Sequence, residues 1–250
     1  MQTFAYGPGP EQVGDLYLPE LRDGARVPVA AVWHGGGYVP EVGRELMEGV
    51  CQDLARRGWA AWNLEYRRVD CGGGWPATWD DVAAGLDRLE DLARDGAPLD
   101  LDRVAGIGFS AGAPLALWAA QRRDGRVRLQ RVINQAGLSQ LEDVARAQGI
   151  SGHVQMLLGD PDRNAAVYAQ VDPGVLLPLG VPQLHVHGDA DENIPVDLTR
   201  RFVDRACLAG DEAELVVIEG ETHFDHADPA SEAWRAVVAW LEAASRESAH

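Results

Sequence analysis

A chain of 250 residues that is 46% hydrophobic is long enough to bury a full core and to form one α/β unit. All 22 of its positive residues are arginine, which excludes Schiff-base, pyridoxal-phosphate, Ser-Lys and P-loop chemistry, since each needs a lysine. The net charge of −17 repels polyanions and argues against nucleic acid as a partner.

Residues 12–18 alternate in strand fashion and predict an antiparallel edge. From residue 27 onward, apolar runs of strand length alternate with amphipathic helical stretches, the pattern of a mostly parallel sheet with helices on both faces. The spacing predicts, in order, a strand over 27–33, a helix over 44–57, a strand over 60–65, a helix over 80–95, a strand over 104–109 and a helix over 111–122. Pro114 falls in the first turn of that last helix, where its missing N–H costs nothing. A strand over 131–135 precedes the longest departure from the alternation, 136–182, with helical fragments broken at Gly149, Gly159, Pro161 and Pro173. We read it as a small cap inserted in a single domain spanning 1–250. A strand over 183–187, a helix over 196–209, a strand over 214–218 and a helix over 231–246 complete the pattern. Cys51, Cys71 and Cys207 are odd in number and widely spaced, so no disulfide framework is indicated. With no signal-like start and no apolar stretch near 18 residues, the expectation is a cytoplasmic protein without membrane contact.

The chemistry is concentrated at predicted strand ends, the edge where open α/β sheets bind ligands. Gly108-Phe109-Ser110-Ala111-Gly112 joins a strand directly to a helix. Glycine two before and two after the serine relieves the crowding of so sharp a turn and leaves the Ser110 hydroxyl alone at the tip. His34-Gly35-Gly36-Gly37-Tyr38 follows the strand over 27–33, and a glycine run lets backbone N–H groups converge on a developing oxyanion. Gly36 and Gly37, with Ala111, are the expected donors. The loop from His187 to Pro195 offers carboxylates, and Gly220-Glu221-Thr222-His223-Phe224 offers a histidine. A serine hydroxyl needs such a base, and the base needs a carboxylate to fix its tautomer.

Together these motifs resemble the α/β-hydrolase superfamily over nearly the whole chain. Asp15-Leu16-Tyr17-Leu18-Pro19, the glycine turn and Asn63-Leu64-Glu65-Tyr66-Arg67 are similar to its small carboxylesterase and kynurenine-formamidase-like branch. The resemblance implies a three-layer α/β-hydrolase fold and a serine hydrolase of small or aryl esters, working without metal or cofactor through an acyl-enzyme. Arylformamidase, amidase or small-peptide hydrolysis is the alternative on the same residues. It places the nucleophile at Ser110, the acid at Asp191 ahead of Asp189, and the base at His223 rather than His226. His34 is expected to hold the glycine turn by a hydrogen bond. Tyr38, Trp75, Phe109, Met156 and Phe224 are candidate pocket walls. Gly112-Ala113-Pro114 departs from the glycine pair usual after the serine-alanine pair, so the substrate side of the elbow is expected to differ.

Three other readings compete. His185-x-His187-x-Asp189 approaches a metallohydrolase signature, but Ala190 stands where its last histidine belongs. Residues 106–111 match G-x-G-x-x-A, but no acidic residue follows about twenty positions on, as a dinucleotide site requires. A non-catalytic binder on a hydrolase fold would keep the motifs without turnover.

Overall fold

The computed structural model describes residues 1–20, 24–149 and 152–247, without the side chains of 244–247. Along Val27–Trp33 (β3), Val29, Ala31 and Trp33 join one hydrophobic cluster while Ala30 and Val32 join a second. A strand apolar on both faces must be covered on both, and that requirement shapes the molecule.

Around β3 lie β1 (Gln2–Ala5), β2 (Val13–Tyr17), β4 (Ala60–Leu64), β5 (Leu99–Phe109), β6 (Arg131–Gln135), β7 (Gln183–Gly188) and β8 (Ala213–Ile218). They form a sheet in the order β1-β2-β4-β3-β5-β6-β7-β8. The pairs β1–β2 and β2–β4 are antiparallel, and all pairs from β4 to β8 are parallel. The strand expected at the edge over 12–18 is antiparallel but interior, because Gln2–Ala5 pairs outside it. That short segment carries no alternating apolar signal. β5 begins five residues earlier than its apolar run, at Leu99, where an irregularity between Pro28 and Val29 lets both parts pair with β3.

Helices α2 (Ala77–Arg94), α3 (Ala113–Gln121) and α7 (Val196–Leu208) cover one face, and α1 (Glu48–Arg56) and α8 (Glu232–Glu247) the other. On α2 the buried residues Trp79, Val82, Leu86 and Leu89 recur at helical spacing, each burial contributing roughly 2 kcal/mol. On the opposite face, Trp234 Nε1 donates to Asp53 Oδ2 at 2.8 Å and ties α8 to α1. The expected cap holds three short helices, α4 (Leu141–Gln148), α5 (His153–Leu158) and α6 (Ala165–Val171); its residues 150 and 151 lie outside those described. α4 and α5 end at Gly149 and Gly159, both with positive φ, which glycine adopts without strain. Among the described residues no helix is long and apolar enough to cross a membrane.

Candidate active site

β5 runs into the 3-10 turn Ser110–Gly112 without an intervening loop, and Ser110 takes φ 52°. The turn is possible because its flanking positions lack a Cβ. One on Gly108 would lie 2.4 Å from Ala113 Cα, and one on Gly112 would lie 2.2 Å from the Trp33 carbonyl. The two glycines that match a dinucleotide pattern are accounted for by packing, Gly108 against α3 and Gly106 against Leu129, where a Cβ would lie 2.5 Å from Cδ1.

Across the sheet edge, His223 opens a 3-10 turn after β8. Thr222 and Asp225 close a capping box there, with the Thr222 N–H and hydroxyl both donating to Asp225 Oδ2, at 2.6 and 2.8 Å. Asp225 is thereby committed to the turn. His223 Nε2 lies 2.9 Å from Ser110 Oγ, and its Nδ1 lies 2.7 Å from Asp191 Oδ2. The Asp191 side chain is fully buried, and its Oδ1 accepts the amides of Asn193 at 2.8 Å and Ile194 at 2.9 Å. Burial works to raise its pKa, but hydrogen bonds from His187, His223 and the Ile194 amide outweigh this and hold the carboxyl well below the usual carboxylate range. Asp189 is exposed and accepts the Gly220 amide at 2.7 Å, away from the base. His226 is buried against Phe109 rather than near Ser110, and burial, followed by the neighbouring His187 and His223, pushes its pKa down to about 3.

The glycine turn after β3 holds Gly36, Gly37 and Tyr38 at φ 105°, 62° and 64°. His34 anchors it. His34 Nε2 donates to Glu65 Oε1 at 2.8 Å, its Nδ1 lies 2.7 Å from Gly35 O, and its carbonyl accepts the Tyr66 hydroxyl at 2.8 Å. Glu65 Oε2 also accepts the Arg44 amide at 3.1 Å, so one buried carboxylate ties both ends of the segment over 34–44. Burial opposes its ionisation, but hydrogen bonding to His34 and the Arg68 guanidinium outweigh that and hold the carboxyl below its ordinary value.

Ser110 and His223 open into a cavity of about 470 Å³ with Gly36, Gly37, Val42, Leu46, Phe109, Leu138, Gln148, His153, Asn193, Ile194 and Phe224. Of the expected walls, Phe109 and Phe224 are there. Tyr38, Trp75 and Met156 are not. Tyr38 is fully buried behind the turn, where burial pushes its phenol well above the ordinary value. Trp75 stacks edge-on against Trp79 and packs on the core, and Met156 points from α5 to solvent, half exposed. Aromatic and thioether character marked these three, but the two aromatic rings pack in the core and Met156 faces water. The lining residues that sequence reasoning missed sit on the turn after Gly37, on the cap and on the loop between β7 and α7. Only the proximity of Val42 and Leu46 to the glycines signals them, and nothing in the sequence marks Gln148 or His153.

The metallohydrolase signature does not assemble. His185 Nδ1 is 3.0 Å from Asn134 Nδ2 and its Nε2 is 3.1 Å from Gln183 Oε1, both within the protein. Among the described residues no group of three or more His, Cys, Asp or Glu is placed to hold a metal ion.

The family model described as BD-FAE matches residues 14–205, from β2 into α7, a span that holds Ser110 and Asp191 and stops short of His223. The chain is 27% identical over 257 residues to the isoprenylcysteine α-carbonyl methylesterase ICME of Arabidopsis thaliana, covering 90% of this chain and 56% of that protein. It spans about half the length of the curated relatives it matches. Among solved structures, esterase B from Lactobacillus rhamnosis superposes with a TM-score of 0.84 at 19% identity, over 99% of this chain and 86% of that one. A truncated carbohydrate esterase from gut microbiota superposes with a TM-score of 0.82 at 17% identity, over 97% and 95%. Both likenesses are of fold. With the sheet order, the strand-end turns and a family match over most of its length, the chain belongs to the BD-FAE family and has the α/β-hydrolase fold.

Proposed function

We propose that this chain hydrolyses small or aryl carboxylic esters through Ser110, His223 and Asp191. The observation that carries this reading is the relay itself, Ser110 Oγ to His223 Nε2 at 2.9 Å and His223 Nδ1 to Asp191 Oδ2 at 2.7 Å, opening on one cavity. His223 takes the Ser110 proton as the oxygen attacks the ester carbonyl, and Asp191 stabilises the imidazolium that forms. The Gly36, Gly37 and Ala111 amides receive the oxyanion. His223 then gives its proton to the leaving alcohol. Water, deprotonated in turn by His223, releases the acid from Ser110.

The size of the pocket supports a small acyl or aryl group. Val42, Leu46, Leu138 and Ile194 give it an apolar side, while Gln148, His153 and Asn193 give it a polar rim suited to an alcohol bearing hydroxyls. The relatives named methylesterase and carbohydrate esterase are compatible with that division. The test is hydrolysis of 4-nitrophenyl acetate, butyrate and octanoate by wild type and Ser110→Ala. We expect turnover that favours the short esters and falls by about 10⁴-fold or more in the variant. Equal turnover in both proteins would refute the assignment.

A further inference from the structure

His187, part of the abandoned metal signature, has no place in the chemistry above, yet it touches it. It is fully buried on β7, its Nδ1 2.8 Å from Thr199 Oγ1 and its Nε2 2.9 Å from Ile194 O and 3.2 Å from Asp191 Oδ2. A carbonyl and a carboxylate oxygen only accept, so the proton sits on Nε2 and is shared between them. Nδ1 then accepts the Thr199 hydroxyl. By donating to Nδ1, Thr199 on α7 satisfies the other ring nitrogen and favours the tautomer whose proton faces the acid.

The oxygen it faces is the one that binds the base. Asp191 Oδ2 receives His223 Nδ1–H and lies 3.2 Å from His187 Nε2, while Oδ1 receives the Asn193 and Ile194 amides. Four contacts from three directions leave the carboxylate no freedom to rotate. A histidine that merely filled the core would be satisfied by Thr199 and Ile194, and the third contact would have no reason to fall on the acid. The other titratable neighbours cannot replace it. His226 stands edge-on 6.2 Å from the His187 ring and its nitrogens have no hydrogen-bond partner among the described residues, and His185 is bonded to Asn134 and Gln183.

We propose that His187 is a positioning residue: its Nε2–H clamps Asp191 Oδ2 and the Ile194 carbonyl together, fixing the acid where His223 meets it. This rests on the reading of Ser110, His223 and Asp191 as the reacting set. The experiment compares kcat and KM on 4-nitrophenyl acetate for wild type, His187→Leu, His187→Gln and Thr199→Val, with Ser110→Ala as control. Loss of a hydrogen bond to a charged group is expected to lower kcat about 10-fold or more in His187→Leu with KM nearly unchanged. His187→Gln, which keeps a donor, is expected to recover part of that loss, and Thr199→Val, which frees the tautomer, to lose kcat in the same direction. A kcat for His187→Leu within about twofold of wild type overturns the proposal, as does an equal loss in the Gln and Leu variants. Should His187→Leu not fold, Thr199→Val decides, and wild-type kcat there overturns it. Activity retained in Ser110→Ala is a different failure, that of the underlying assignment.

Discussion

Ser110 holds a left-handed backbone conformation at φ 52°, which costs a residue with a Cβ roughly 1–2 kcal/mol. The strain points its hydroxyl into the cavity rather than along the sheet. Its cost is measurable in variants that have already lost the hydroxyl. Ser110→Gly is expected to be more stable than Ser110→Ala by about 1 kcal/mol in denaturant unfolding, because glycine enters this region freely. Equal midpoints for the two would mean that the turn stores no strain. The position of Ser110 was readable from its pentapeptide, and so were the two partners at distant strand ends. His187 was visible only as a motif residue, because its meaning depends on Thr199, twelve residues away on a helix, and on the fold of the loop between them.

Among the elements, the elbow and the cap show opposite degrees of constraint. At the elbow, Gly112 has an ordinary right-handed backbone, φ −76°, so its need for glycine comes wholly from the Trp33 and His34 carbonyls, 2.2 and 2.5 Å from where a Cβ would stand. Gly112→Ala should therefore force β3 and α3 apart, at a cost of about 3 kcal/mol or more. Gly96 is the converse case, with φ 104° and nothing within 4 Å of a Cβ, so Gly96→Ala should cost only about 1 kcal/mol of backbone strain. Chemical denaturation of both variants checks the contrast, and a larger loss at Gly96 would contradict it. The cap, in contrast, is placed by side chains over the glycine turn. A Cβ on Gly37 would lie 2.5 Å from His153 Nδ1, so close packing as well as positive φ calls for glycine there. The glycine run is legible as a tight turn at a strand end, but the residue that packs upon it comes from 116 positions downstream and from a segment without periodic signal.

For the molecule as a whole, two histidines beneath the site link stability to pH. Burial pushes both His185 and His226 down to about 3 from an ordinary 6.5, with neighbouring histidines acting in the same direction. The unfolded chain binds these two protons first. The stability they confer is complete above about pH 6.5 and is lost as pH falls toward about 3, at roughly 1.4 kcal/mol per pH unit for each group. Carboxylates held low, such as Asp191, add their loss only at more acid pH. Unfolding free energy measured from pH 7 to pH 4.5 should therefore fall, and His226→Leu should flatten that slope by about one proton. An unchanged slope would show that His226 is not neutral in the fold.

By itself the sequence determined the alternation of strands and helices, the strand-end turns and the choice of Ser110, Asp191 and His223, which the fold brings within hydrogen-bond distance, because these follow from local periodicity and from residue types that only a few backbone geometries accept. It determined the break of the cap into fragments for the same reason. The tertiary structure decided what depends on distance through space. It put Gln2–Ala5 outside the strand expected at the edge, withdrew Tyr38, Trp75 and Met156 from the pocket, and brought His153 and Gln148 into it. Which buried polar groups satisfy one another was likewise beyond local pattern, since Glu65 reaches His34 and His187 reaches Thr199 only after the sheet has assembled. Hydrogen bonds of this kind have no sequence period, and burial alone makes them obligatory.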